Sequence, residues 1–140
     1  MENYWRKKAG YYLQKYAAYS DELVRAEMRI RDLRMQNYAS LGMPRPSGNS
    51  DLTSSSVLLL EKLNGSKKAR IVRAVQDAIR YAPIPKACLG GVLISCELPH
   101  SWKYPRLTRL GIMPCSQAQF YRYRNTLIDE VAWRLQGIAE

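Results

Sequence analysis

Lys103, Arg106, Arg109, Arg122 and Arg124 fall between Glu97 and Asp129 with no acidic residue among them, so this stretch carries an uninterrupted positive potential. Phe120, Tyr121 and Tyr123 are interleaved with the basic residues, and the amides Gln117 and Asn125 flank them. Guanidinium and ammonium groups pair with phosphate oxygens, while amides and guanidinium groups also read base edges. The chemistry on offer is recognition of a polyanion.

Covalent catalysis has no comparable set of residues. General acid–base work needs convergent carboxylates or histidines, and here the acidic residues fall beside Arg or Lys at helical spacings, as solvent-face ion pairs do. Leu89-Gly90-Gly91-Val92 alone does not make a phosphate-cradling motif. Cys88, Cys96 and Cys115 are scattered, and the single histidine, His100, supplies no second ligand class for a tetrahedral metal site. The cysteines read as small core residues and His100, between Pro99 and Ser101, as a loop or capping residue. The expectation is a chain that is no enzyme and uses neither metal nor cofactor.

Positioning the basic and aromatic residues requires helices. WKYPRLTRLG, a loop IMPC and SQAQFYRYRNTLIDEVAWRL read as a helix-turn-helix at about 103–135, with Lys103 to Leu110 as the first helix, Gly111 as the turn residue that admits a positive φ, and Ser116 as the N-cap of the second. On the second helix Phe120, Tyr123, Leu127, Val131 and Leu135 share an inward face, with Arg124 and Ile128 at its edge. The opposite face carries Gln117, Ala118, Tyr121, Arg122 and Asn125, the expected base contacts; Lys103, Arg106, Arg109, Ser116 and Arg124 are the expected phosphate contacts.

The rest of the chain also reads as helical, giving an all-α expectation. Tyr12, Tyr16, Tyr19, Leu23, Ala26, Ile30 and Leu33 recur at steps of four and three along residues 1–39, a seam on one amphipathic helix with Lys15, Asp21, Glu22, Arg25, Arg29 and Asp32 opposite. That seam serves either an intramolecular hairpin with residues 66–82 or a parallel homodimer. Residues 40–50, rich in Pro, Gly and Ser, read as a linker. A helical DNA-binding domain is expected over 51–140. Within it Asn64-Gly65-Ser66 breaks one helix and Ser66 caps the next, whose apolar stripe is Ile71, Val72, Val75, Ala78, Ile79 and Ala82. Pro83 and Pro85 end that helix. The segment KACLGGVLISCEL is read as helix, because a lone strand would have no partner.

Net charge at neutral pH is +10 over 140 residues, with a pI near 9.7. It is spread as roughly +3 over residues 1–40, zero over 41–65, +4 over 66–100 and +3 over 101–140, so no acidic tail offsets the basic end. The first residues, MENYWRKKAGYY, are too polar for a secretory signal, and no segment has the length of a membrane span; a reducing cytoplasm is expected.

RLTRLGI followed by SQAQFYRYRNTLIDEVAWRL resembles the RinA/ArpU group of phage-encoded transcriptional regulators of Gram-positive hosts, which in turn look like region four of bacterial sigma factors. The likeness rests on a serine, a hydrophobic-Tyr-Arg core and a long amphipathic continuation, and it extends more weakly over the upstream helices. It implies a sequence-specific DNA-binding regulator of late or packaging genes in phages or prophages, acting on double-stranded DNA in the bacterial cytoplasm, with bacterial RNA polymerase a further expected partner. Met113-Pro114-Cys115 lengthens the turn by about three residues over the commonest form, and Leu107 stands where many such motifs carry a small residue. Two other readings remain open at this stage: a small terminase-like DNA-packaging subunit that assembles as a ring, and a helical protein-interaction module with nonspecific DNA affinity.

Overall fold

A computed structural model describes residues 2–40 and 51–138, which contain six helices and no strand. The fold is all-α. The helices are α1 (Glu2–Ser40), α2 (Asp51–Asn64), α3 (Lys67–Tyr81), α4 (Lys86–Glu97), α5 (Tyr104–Arg109) and α6 (Gln117–Gln136). The expected linker at 40–50 falls, beyond Ser40, outside the described residues. No described helix is long and apolar enough to cross a membrane.

The breakers act where the sequence places them. Ser66 Oγ donates to the Leu63 carbonyl at 2.7 Å and accepts from the Ala69 N–H at 3.3 Å, closing α2 and capping α3 with one side chain. Helix α3 stops at Tyr81, just before Pro83-Ile84-Pro85, since proline can neither donate to the helix nor let its preceding residue stay helical. The Gly90-Gly91 segment is helical throughout α4, as expected.

Two compact units divide the chain: Met1–Ala17 with Ile71–Glu140, and Ala18–Arg70. In the first, Ala9 and Leu13 of α1, Val75 and Ala78 of α3, Val92 of α4, Leu107 of α5, and Leu127, Val131 and Leu135 of α6 are fully buried. The α3 stripe is buried at Ile71, Val72, Val75 and Ala78 and half-buried at Ile79 and Ala82. Helix α4 packs directly on α6.

In the second unit the α1 seam is half-buried at Tyr19, Leu23, Ala26 and Ile30, and the side chain of Leu33 lies outside the described ones. Asp21, Glu22, Arg25, Arg29 and Asp32 are exposed, as the solvated flank should be. Lys68, in the first turn of α3, pairs with Glu22 and lies 4.8 Å over the Tyr19 ring, so α3 meets the seam at this point. The two remaining seam residues, Tyr12 and Tyr16, belong to the first unit, where Tyr12 is buried and Tyr16 half-buried.

Candidate nucleic-acid interface

Helix α5 is only six residues long and ends in a Schellman motif. The Ile112 N–H reaches back to the Leu107 carbonyl and the Gly111 N–H to the Thr108 carbonyl, both at 3.0 Å. Gly111 adopts φ 69°, the left-handed conformation that a Cβ would strain. The chain then runs through Met113-Pro114-Cys115 to Ser116, whose Oγ accepts from the Gln119 N–H at 3.3 Å and starts α6. The positioning helix, left-handed turn residue and capped second helix expected from the sequence are all present.

The turn is longer than the commonest form, yet it is anchored. Met113 is buried, and its methyl occupies the space above Gly91 of α4, where a Cβ would collide with Met113 Cε. Leu107 is fully buried, and the Tyr104 hydroxyl donates to the Cys115 carbonyl at 2.8 Å. The Tyr104 ring lies 5.4 Å from that of Phe120, locking α5 onto the first turns of α6. Leu107 and Met113 are thus buried and Cys115 half-buried, while Pro114 stays exposed at the tip of the turn.

Helix α6 divides as its periodicity predicts. Phe120, Leu127, Val131 and Leu135 are buried, Tyr123, Arg124 and Ile128 are half-buried, and Gln117, Ala118, Tyr121, Arg122 and Asn125 are all exposed. Ala132 is an additional buried residue. Lys103, Arg106, Arg109 and Ser116 are exposed as well. Neither α5 nor α6 has an acidic residue in its first turn, so the N–H groups that have no intrahelical partner face no competing carboxylate there.

Arg124 and Asn125, both expected contacts, are engaged by side chains of other helices. Arg124 is half-buried with its Nε shielded from water and unpaired, and its guanidinium lies beside the Cys96 thiol of α4 rather than with the exposed basic set. Asn125 accepts through Oδ1 from Arg6 Nη2 at 3.2 Å, and Arg6 also pairs with Asp129. Arg6 was not singled out by the sequence because it stands 119 residues before Asn125 and belongs to no local motif. Trp5 and Arg6 also line an open cleft of about 320 Å³ with Asp129, Ala132, Trp133 and Gln136, which places the start of α1 along the second half of α6.

Arg106 is held in place by its neighbours. Its guanidinium lies 3.9 Å from the Trp102 ring centroid and donates to the Ser101 carbonyl at 3.0 Å. A stacked guanidinium loses less side-chain entropy on pairing with a phosphate than a freely rotating one. Leu110 and Ile112 are exposed apolar residues flanking Gly111, a feature that no motif signalled.

The titratable groups near the helix-turn-helix are tuned by burial. Burial pushes the Cys96 thiol above its usual range, against the opposing pull of Arg124. Burial raises Cys115 too, and its hydrogen bond with the Cys88 thiol adds to the shift. Glu97 is raised by partial burial. Raised thiol values keep these cysteines protonated and poorly nucleophilic near neutral pH; Cys88 and Cys96 are buried as core residues, whereas Cys115 is only half-buried. Among the described residues no group of three His, Cys, Asp or Glu side chains could hold a metal ion.

No family model, curated protein or solved structure matches the chain.

Proposed function

We propose that the chain is a sequence-specific DNA-binding transcriptional regulator that places the first half of α6 in the major groove. Gln117, Ala118, Tyr121 and Arg122 face the bases, and Lys103, Arg106, Arg109 and Ser116 contact the flanking phosphates. Arg124 is left to its inward partner. The observation that carries this reading is the division of α6: a buried Phe120-Leu127-Val131-Leu135 side fixes its roll, so the exposed Gln117-Ala118-Tyr121-Arg122 side projects with the exposed cations of the 103–109 segment nearby in sequence. A rigid helix with amide and guanidinium groups on its outward N-terminal half meets the geometric requirement for reading base edges, and the cations supply the salt-dependent part of the affinity.

The target class, promoters of phage or prophage late and packaging genes in a bacterial cytoplasm, rests on the resemblance to RinA/ArpU regulators, as does contact with RNA polymerase. Selection of binding sites from random duplex DNA followed by sequencing tests the DNA reading. One enriched motif is expected, and a palindromic motif would mean that two copies bind together. Recovery of unenriched random sequence at every salt concentration would leave only nonspecific affinity and overturn the proposal.

A further inference from the structure

Asp129 is the first acidic residue of α6 and lies seven residues, two turns, after Arg122 on the exposed side of the helix. At 1.5 Å rise per residue its carboxylate is about 10 Å along the axis from the Arg122 position, within one Debye length at moderate salt. An unpaired carboxylate there would repel phosphates approaching the second turn of α6. The structure pairs it with Arg6, a residue from the opposite end of the chain, whose side chain is 36% exposed while that of Asp129 is 59% exposed.

An ion pair this exposed contributes little to folding, so stability gives no strong reason for it. The same guanidinium also engages Asn125, the last residue of the outward row, through its carbonyl oxygen. That bond uses one of the two lone pairs of the Asn125 amide oxygen, leaving one acceptor site and both N–H donors, and it fixes which way the amide faces.

We infer that Arg6 is a positioning and charge-masking residue for the DNA-binding face: it neutralises Asp129 and orients the Asn125 amide, so the N-terminus of α1 sets the electrostatic edge of the interface. This rests on the DNA reading above. On α1 itself the adjacent residues Lys7 and Lys8 are cationic, and the nearest acidic residue of that helix is Glu2, four positions before Arg6.

The test is a charge-balance cycle with the full chain on a labelled mixed-sequence duplex of about 30 base pairs, titrated at about 50 and 200 mM salt. Arg6→Gln should bind about three- to tenfold more weakly at the lower salt, with the difference shrinking at the higher. Arg6→Gln combined with Asp129→Asn should return to within about twofold of wild type, because the net charge of the pair is again zero. Thermal melts of both variants should stay near wild type, separating masking from a folding role.

The inference is overturned if Arg6→Gln leaves affinity unchanged. It is equally overturned if the double variant stays as weak as Arg6→Gln and its salt slope falls by about one, which would make Arg6 a direct phosphate contact. A wild-type chain that binds no duplex at either salt overturns the DNA reading itself and this inference with it.

Discussion

Truncating Phe120 tests the division of α6 on which the DNA reading depends. Its ring is 2% exposed and lies 5.4 Å from the Tyr104 ring and 5.3 Å from that of Tyr121. Phe120→Ala gives up about 1.5–3 kcal/mol of apolar burial. The cavity left between α5 and α6 and the lost ring contacts bring the expected total to about 3–5 kcal/mol. Tyr121 shares the same ring contact but is 43% exposed, so Tyr121→Ala should cost below about 1 kcal/mol. Urea unfolding followed by circular dichroism measures both, with the slope m held constant as the check that only stability changed. Binding should invert the order: Tyr121→Ala loses affinity while folded, and Phe120→Ala, assayed well below its melting point, loses less than its stability change would suggest. Equal stability losses at the two positions would mean that α6 is rolled differently and that the assignment of its outward face is wrong.

Arg122→Ala and Gln117→Ala should each cost about 1–3 kcal/mol at the preferred site and relax base preference, whereas Arg109→Ala should weaken all duplexes alike and lower the salt slope by about one; competition assays with single-base variants distinguish the two classes. Gly90 has open space around it within α4, so Gly90→Ala should stabilise the chain by about 0.5–1 kcal/mol in urea unfolding. Gly91→Ala gains the same helix propensity but must displace the flexible end of the buried Met113 side chain, so it should stabilise the chain less than Gly90→Ala does. Burial raises the Cys96 thiol above the ordinary 9.0, so its contribution to stability is complete below that pH and is lost as pH rises through the raised value. Melting curves taken from about pH 8 to 11 should therefore decline less steeply for Cys96→Ala than for wild type.

Local rules account for what was legible beforehand. Ser66, Pro83, Gly111 and Ser116 act through their own backbones and nearest neighbours, so their roles at helix ends follow from residue type and position. Periodicity likewise separates Phe120, Leu127, Val131 and Leu135 from Gln117, Tyr121 and Arg122, because one buried face on a 3.6-residue repeat determines the other. Contacts between distant segments obey no such rule. Arg6 meets Asn125 and Asp129 only because α1 lies along the second half of α6, and nothing in MENYWRKK announces that. Arg124 sits at the edge of the inward face, where periodicity cannot decide between a phosphate and the Cys96 thiol.

Gly91 shows how a local signal can be present and still be read too narrowly. Two adjacent glycines in an apolar segment weaken a helix, so the helical reading of the Gly90-Gly91 stretch rests on the lack of a partner for a lone strand. In the fold the two are not equivalent: Gly90 faces open space, and Gly91 makes the notch that Met113 fills. The lengthened turn and the glycine in α4 are therefore one feature. Met113 is buried in that notch and the Tyr104 hydroxyl holds the Cys115 carbonyl, so the turn is anchored at two points. Met113 is seated against Gly91 of α4 and α4 packs on α6, so the turn between α5 and α6 is tied to the same packed layer. On the proposed DNA reading, any difference in docking angle from a shorter helix-turn-helix is then set by this packing in the free protein.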